Sequence, residues 1–459
     1  MRAEAENVDG RVGSVPGPPE PKPAPRKLLV LDSAFCLEAI RARGLEASVT
    51  CRDLGGYFEH VWSVHPMASL VSSRAWGPEF GAPDQYELSA KHTLIEGKVG
   101  RFSWLRRLPP LNFLVAQADV MAQLARLIET EHISVIRAGD PLYLGLLAWT
   151  LSRMKHIPFI VRVGGNNTKV REVTGRPVMP RLFRWGRLEE WVESFVLRRA
   201  DLVAGANEDN LQFAVKSGAA STKATLFRYG NLLHPAHFAE PSARPWPSGV
   251  LPGSRFMLYV GRLEPVKHAD DVVRVLADMR RRGHDVDALL VGDGTQRAEI
   301  ERLARDLEVA DHVKLCGNKD QEWLASAFAH AEVVLSPHTG RALSEAALGA
   351  AAIAGYDVDW QSEVLKPGTT GELVPFGDWE ALSASAHRLL ADRAYASRLG
   401  AGARTLVREM MDPERLDAHE RDQYGRLLAE CQTHARHPRP RMSAAEFVHT
   451  EKPRQPRSP

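Results

Sequence analysis

The sequence predicts an α/β protein made of two facing, doubly wound Rossmann-like domains. Three observations carry this. Short apolar runs alternate with segments of helical period along most of the chain. One proline-rich stretch, 239–254 (AEPSARPWPSGVLPGS), interrupts the alternation and divides it into two series. The chain has 459 residues, too many for one ordinary hydrophobic core.

Residues 1–25 contain PGPPEPKPAP without periodicity and read as a disordered tail. A first domain is expected over 26–238. Its first strand starts at Lys27 (LLVLD), and a helix over 34–44 is closed by Gly44. Residues 48–110 lack a clear period and suggest insertions and short edge strands. Apolar spacing predicts a helix over 113–131, then a strand from Ile133 to Ile136. Asp140-Pro141 is an N-cap followed by a first-turn proline and opens a helix to about Lys155. Phe159 to Val163 is a strand ending at Gly164-Gly165. A long helix follows over 181–199, then the strand Asp201 to Ala204, a helix from Asn207 and a last strand from Thr225 to Arg228.

After the linker, a second domain is expected over 255–410: FMLYVGRL, a helix over 268–282, DALLVGDG, a helix over 295–307, VKLCG and a helix over 320–330. Val333 to Leu335 is the next strand; the loop 338–341 and a helix from about Ala342 follow. Helices over 378–391 and 393–410 close the domain. A C-terminal helix over 411–433 and a basic, proline-rich tail over 434–459 complete the chain.

Composition narrows the function. The net charge of +2 gives no argument for nucleic acid. Cys36, Cys51, Cys316 and Cys431 have neither zinc-ligand nor redox spacing, which suits a reducing, cytoplasmic setting. No run approaches the roughly 18 apolar residues of a membrane span. The N-terminus lacks the apolar core of a signal peptide.

The chemistry-bearing residues cluster at predicted strand ends of the second domain. Arg262 and Lys267 flank the turn after its first strand, and two cations beside a helix start suit a diphosphate. Gly292-Asp293-Gly294 follows its second strand. Ser336-Pro337-His338-Thr339-Gly340-Arg341 joins a strand to a helix that carries Glu345. Backbone N–H groups at such a helix start can meet a phosphate, and a nearby carboxylate can accept bonds from sugar hydroxyls.

Residues 256–376 resemble the donor-binding half of the family-four retaining glycosyltransferases, which have the GT-B fold. The matching pieces are YVGRLEPVKH, LLVGDGT, VKLCGN, AEVVLSP, LSEAAL and TGELVPFGD. In the first half, RRADLVAGANED and RYGNLLHPAHF, with Asn231 and Phe238, resemble the segments leading into the hinge. The resemblance covers about residues 27–430. It implies that Arg262 and Lys267 hold a donor diphosphate and stabilise its developing charge without a metal. It implies that Glu345 accepts bonds from the ribose. Gly261, Gly292, His338, Thr339, Gly340, Arg341, Ala342 and Leu343 would line the donor, and Gly317 and Lys319 would face the base. The implied reaction moves a sugar from a UDP- or GDP-sugar to a glycan or lipid-linked acceptor with retention of configuration. The nucleotide-sugar is a substrate, and no cofactor or metal is expected.

The chain departs from that pattern. The family usually has two glutamates eight apart; Glu345 keeps the second place and Pro337 takes the first. The family's first-domain histidine is replaced by Gly164, with Asn166 and Asn167 as the nearest polar residues on the acceptor side. Ala350 and Ala352 replace a usual glycine and proline. These departures keep a catalytically silent sugar-nucleotide-binding partner as the alternative. Asp285-Val286-Asp287 and Asp357-Val358-Asp359 match a metal-binding Asp-x-Asp but lack its structural context. Glu363 reads as a helix cap. Two Arg- and Trp-bearing stretches, 101–114 and 181–199, suit peripheral contact with an anionic membrane, although Leu182, Trp185, Leu188, Val192, Phe195 and Val196 first read as a core stripe.

Overall fold

The computed structural model describes residues 26–34, 36–43, 45–73 and 78–436. The predicted tail 1–25, Gly44 and the segment 437–459 lie outside these. The first sheet contains β1 (Lys27–Leu31), β2 (His60–His65), β3 (Asp84–Ser89), β4 (His92–Glu96), β5 (Val135–Ala138), β6 (Phe159–Val163), β7 (Leu202–Gly205) and β8 (Ala224–Leu226). Their order is β3-β4-β2-β1-β5-β6-β7-β8. All neighbours are parallel except β3 and β4. Two residues join those strands, a connection only an antiparallel pair allows. β1 is covered on both faces, which is why KLLVL reads as a continuous apolar run.

The second sheet contains β9 (Phe256–Val260), β10 (Asp287–Val291), β11 (Val313–Gly317), β12 (Val333–Ser336), β13 (Ile353–Tyr356) and β14 (Glu372–Val374). Its order is β11-β10-β9-β12-β13-β14, with every neighbour parallel. The chain winds one way from β9 and the other way from β12. The crevice between their carboxyl ends is therefore the topological switch point, where ligands sit in such sheets. Apolar side chains cover both faces, one layer holding Val272, Leu276 and Leu389, the other Phe328, Leu343 and Val407.

Several expectations are corrected. The segment 48–110 supplies β2, a buried strand beside β1, as well as edge structure. The helix expected over 34–44 is Leu37–Arg43, because Asp32 binds the Ala34 N–H in a turn. Asp140 does accept from the N–H groups of Leu142 and Leu144, but the helix it precedes is Tyr143–Lys155. The helix expected over 181–199 is Gly186–Arg199, and the one expected over 113–131 starts earlier, as Pro109–Thr130. Asn167–Thr174 is a helix the periodicity did not show. β13 and β14 were not foreseen either.

The linker 239–254 lies against the second domain. Arg244 donates to the carbonyls of Ala325 and His237, both at 2.7 Å. The last helix, Pro413–Arg436, returns to the first domain. Tyr424 and Leu427 pack there with Leu28, Phe58 and Phe227. Closer to the cleft, Glu363 joins the domains: it accepts from the Glu208 N–H and from Arg228 Nη1, both at 2.8 Å. Glu363 thus caps a helix, but one in the opposite domain, Glu208–Lys216.

Candidate functional site

A cavity of about 400 Å³ opens at the β9–β12 switch point. β9 delivers Gly261 and Arg262, and the turn Pro265–Lys267 delivers Lys267. β12 delivers the loop 338–340, and the helix Arg341–Leu348 delivers Arg341, Ala342 and Glu345. Tyr259, Leu324, Phe328 and Val334 supply an apolar wall. No side chain caps the helix Arg341–Leu348, and its Leu343 N–H turns back to the Gly340 carbonyl at 3.2 Å.

Lys267 is fixed in place. Its ammonium donates to His338 Nδ1 at 3.0 Å and to the Thr339 carbonyl at 2.9 Å. Burial lowers its proton affinity, and the Arg262 charge lowers it further, while Asp359 opposes both. Burial also lowers the pKa of His338, with Lys267 adding to the effect. The imidazole is therefore neutral at neutral pH and receives the Lys267 proton at Nδ1. Arg262 is exposed and forms no ion pair among the described residues, although its charge reaches Glu264. An exposed guanidinium beside a held ammonium is a site for an anion.

Glu345 is 4% exposed, and burial pushes its pKa up to about 7, against a smaller opposing effect from Arg341. Its carboxylate has no hydrogen-bond partner among the described residues. It is an acceptor awaiting donors, at the opposite end of the same short helix start from the cations.

Seven of the eleven donor-side candidates line the cavity: Gly261, His338, Thr339, Gly340, Arg341, Ala342 and Glu345. Four do not. Leu343 is a core side chain, 1% exposed, and its N–H bonds the Gly340 carbonyl. Lys319 is exposed, with its ammonium 5.3 Å from the centre of the Trp323 ring. Gly292 has φ +132°, and a Cβ there would meet the Gly261 carbonyl oxygen at 1.9 Å. Its N–H bonds the Gly317 carbonyl at 2.9 Å. Gly292 thus lets the loops after β9, β10 and β11 pack together, whereas a Cβ on Gly317, at φ +65°, would meet nothing within 4 Å.

The acceptor-side pair is also engaged elsewhere. Asn166 caps Asn167–Thr174 and donates to Asp209 at 3.3 Å. Asn167 donates to Glu193 at 2.6 Å. Both Asp-x-Asp pairs are used in side-chain bonds: Asp285 with Arg280, Asp287 with His312 and Lys314, and Asp359 with Thr339. No cluster of three metal-ligating side chains occurs among the described residues. Sequence reading weighed Asp359 only as half of an Asp-x-Asp and missed Lys169, because their significance is a meeting across the cleft.

The expected core stripe divides. Val192 and Val196 are buried, whereas Trp185 is 65% and Trp191 57% exposed; Trp104, on the other basic stretch, is 73% exposed. The helices Pro109–Thr130, Tyr143–Lys155 and Gly186–Arg199 lie side by side, so both stretches edge the same layer.

Two Rossmann-like sheets with a cation-lined crevice at the second sheet's switch point define a GT-B protein. Residues 245–406 match the family model of the glycosyl transferases, group 1. An alpha-D-kanosaminyltransferase of Streptomyces kanamyceticus is 27% identical over 154 residues, 33% of this chain and 40% of that protein. A phosphatidyl-myo-inositol mannosyltransferase of Mycolicibacterium smegmatis is 33% identical over 144 residues, 30% of this chain and 36% of that protein. The matched segment spans about two fifths of the length of such relatives. The fold extends further. A sucrose-phosphate synthase from Thermosynechococcus elongatus superposes with a TM-score of 0.66 at 19% identity, covering 88% of this chain and 100% of that one. Anabaena HepE in complex with UDP and glucose superposes with a TM-score of 0.61 at 14% identity, covering 87% and 99%.

Proposed function

We propose that this protein transfers a sugar from a nucleotide-sugar to a glycan or lipid-linked acceptor, with retention of configuration. The observation that carries the reading is one cavity wall holding Arg262, a fixed Lys267 and a buried Glu345 whose carboxyl has no hydrogen-bond partner among the described residues. The two cations match a diphosphate, the apolar wall a planar base, and the carboxylate the ribose hydroxyls. The acceptor hydroxyl attacks from the face the diphosphate leaves, and a leaving phosphate oxygen takes its proton. Arg262 and Lys267 stabilise the charge that develops on that phosphate, so the reading needs neither metal nor cofactor.

The location that fits is cytoplasmic, with peripheral contact at an anionic membrane face. No described helix is long and apolar enough to cross a membrane. Trp104, Trp185 and Trp191 stand out from the first domain among exposed Arg106, Arg107, Arg184 and Arg187. Such a face suits anionic headgroups.

The test of the activity is incubation with UDP- and GDP-sugars and a panel of glycan and lipid acceptors. Transfer or slow donor hydrolysis is expected. Binding of donor with neither reaction would overturn the enzymatic reading. For the surface, sedimentation with phosphatidylglycerol vesicles should retain the wild type and lose a Trp104→Ser/Trp185→Ser/Trp191→Ser variant; equal retention would refute the contact.

A further inference from the structure

A line of polar contacts runs from the first domain into the cavity. Lys169, on the helix Asn167–Thr174, lies 2.9 Å from Asp209 of its own domain and 3.9 Å from Asp359 of the other. Asp359 stands in the turn after β13 with φ +52°, a left-handed conformation that an aspartate adopts at some cost. Its Oδ2 accepts the Thr339 hydroxyl at 2.8 Å. The Thr339 carbonyl in turn receives the Lys267 ammonium at 2.9 Å. Each member therefore constrains the next: Lys169, Asp359, Thr339, Lys267.

Asp359 has two opposed effects on an anionic ligand. Through Thr339 it orders the loop that holds Lys267. Its own negative charge faces the same loop and repels a diphosphate. Lys267 shares that charge from its own domain, and Lys169 adds a second cation from the opposite side of the cleft.

We propose that Lys169 is a positioning residue for the donor, acting from the first domain by neutralising Asp359 so that the anion loop keeps its order without repelling the diphosphate. The inference rests on the proposed donor cavity. It makes donor affinity depend on how the two domains stand, since only a closed cleft brings Lys169 to Asp359. It also gives a role to the second Asp-x-Asp pair: Asp359 orders the loop through a hydrogen bond, with no metal involved.

The test is calorimetric titration of the full-length protein with UDP and with GDP. Lys169→Met should raise the dissociation constant about three- to tenfold, the effect of one uncovered charge in a hydrated cleft. Lys169→Arg should bind as the wild type. In Lys169→Met/Asp359→Asn the affinity should return, because asparagine still accepts the Thr339 hydroxyl but carries no charge. Thermal melting of each variant separates these effects from misfolding. Unchanged binding by Lys169→Met would overturn the inference alone. Weakened binding that Asp359→Asn does not restore would also overturn it, since Lys169 would then act only as a support for its helix. A wild type that binds neither nucleotide would overturn the donor cavity itself, and this inference with it.

Discussion

Glu345→Gln should make the empty protein more stable above neutral pH while weakening its grip on nucleotide. Burial places the carboxyl's pKa at about 7 in the folded chain, against an ordinary 4.5. Between those values the folded chain holds a proton that the unfolded chain has released. The contribution of Glu345 to stability is therefore complete below pH 4.5 and lost as pH rises through about 7. At about 1.4 kcal/mol per pH unit, the full loss approaches about 3 kcal/mol. Relaxation around the ionised group reduces it to roughly 1–3 kcal/mol. Glutamine has the same shape and never ionises, so the variant avoids the loss. Asp140, also raised to about 7 by burial, is common to both proteins and cancels in the comparison.

Thermal melting at pH 5 and pH 8 reads the difference. The variant should melt with the wild type to within a degree or two at pH 5, and roughly 3–8 °C higher at pH 8. Calorimetry at pH 8 should show the reverse for ligand. An ionised carboxylate accepts ribose hydroxyls better than an amide oxygen, so UDP or GDP should bind the variant about tenfold more weakly. A variant no more stable than the wild type at pH 8 would refute the buried, partnerless carboxyl. Equal nucleotide affinity would refute its ribose role.

Three other perturbations test separate parts of the structure. Lys267→Met and Arg262→Ala should each lower transfer about 10²–10³-fold with an unchanged melting temperature, measured by steady-state kinetics; wild-type rates would remove the diphosphate assignment. Gly292→Ala should lose several kcal/mol or fail to fold, because the added carbon meets the Gly261 carbonyl at 1.9 Å and φ is +132°; denaturant unfolding measures this. Glu363→Ala removes the acceptor for Arg228 and the Glu208 N–H, costs about 1–3 kcal/mol, and should enlarge the radius of gyration in solution scattering as the cleft opens.

What the sequence disclosed follows from the range of the interactions involved. β9, β10 and β12 were legible because a strand buried on both faces must be apolar throughout, and each is bounded by glycine or proline; β11, an edge strand with Lys314 exposed, was legible from its apolar residues and its closing glycine. β2 was not, since its HVWSVH mixes polar residues that the interior accommodates individually: Ser63 accepts from Arg52 Nη1, and His65 receives the Met67 N–H. The short strands β13 and β14 gave too little pattern to separate from the helices around them. None of the residues of Asn167–Thr174 whose burial is described is buried, and no apolar period announced the helix, although Asn166 is an ordinary cap.

The site divides along the same line. Arg262, Lys267 and Glu345 converge because each stands a fixed few residues from a strand end, and parallel strands carry those ends to one edge. Local spacing is enough to find them. Gly292 shows the limit of that reasoning: a glycine at a strand end can admit a ligand or another loop, and the Gly261 carbonyl 1.9 Å from its would-be Cβ decides for the loop. Lys169, Asp359 and Glu363 meet partners across the cleft, from residues more than a hundred positions away. There the sequence offers residue types without neighbours. Pro337 leaves the loop without a first carboxylate. His338, kept neutral by burial and by Lys267, is the polar side chain next to Pro337 in that loop.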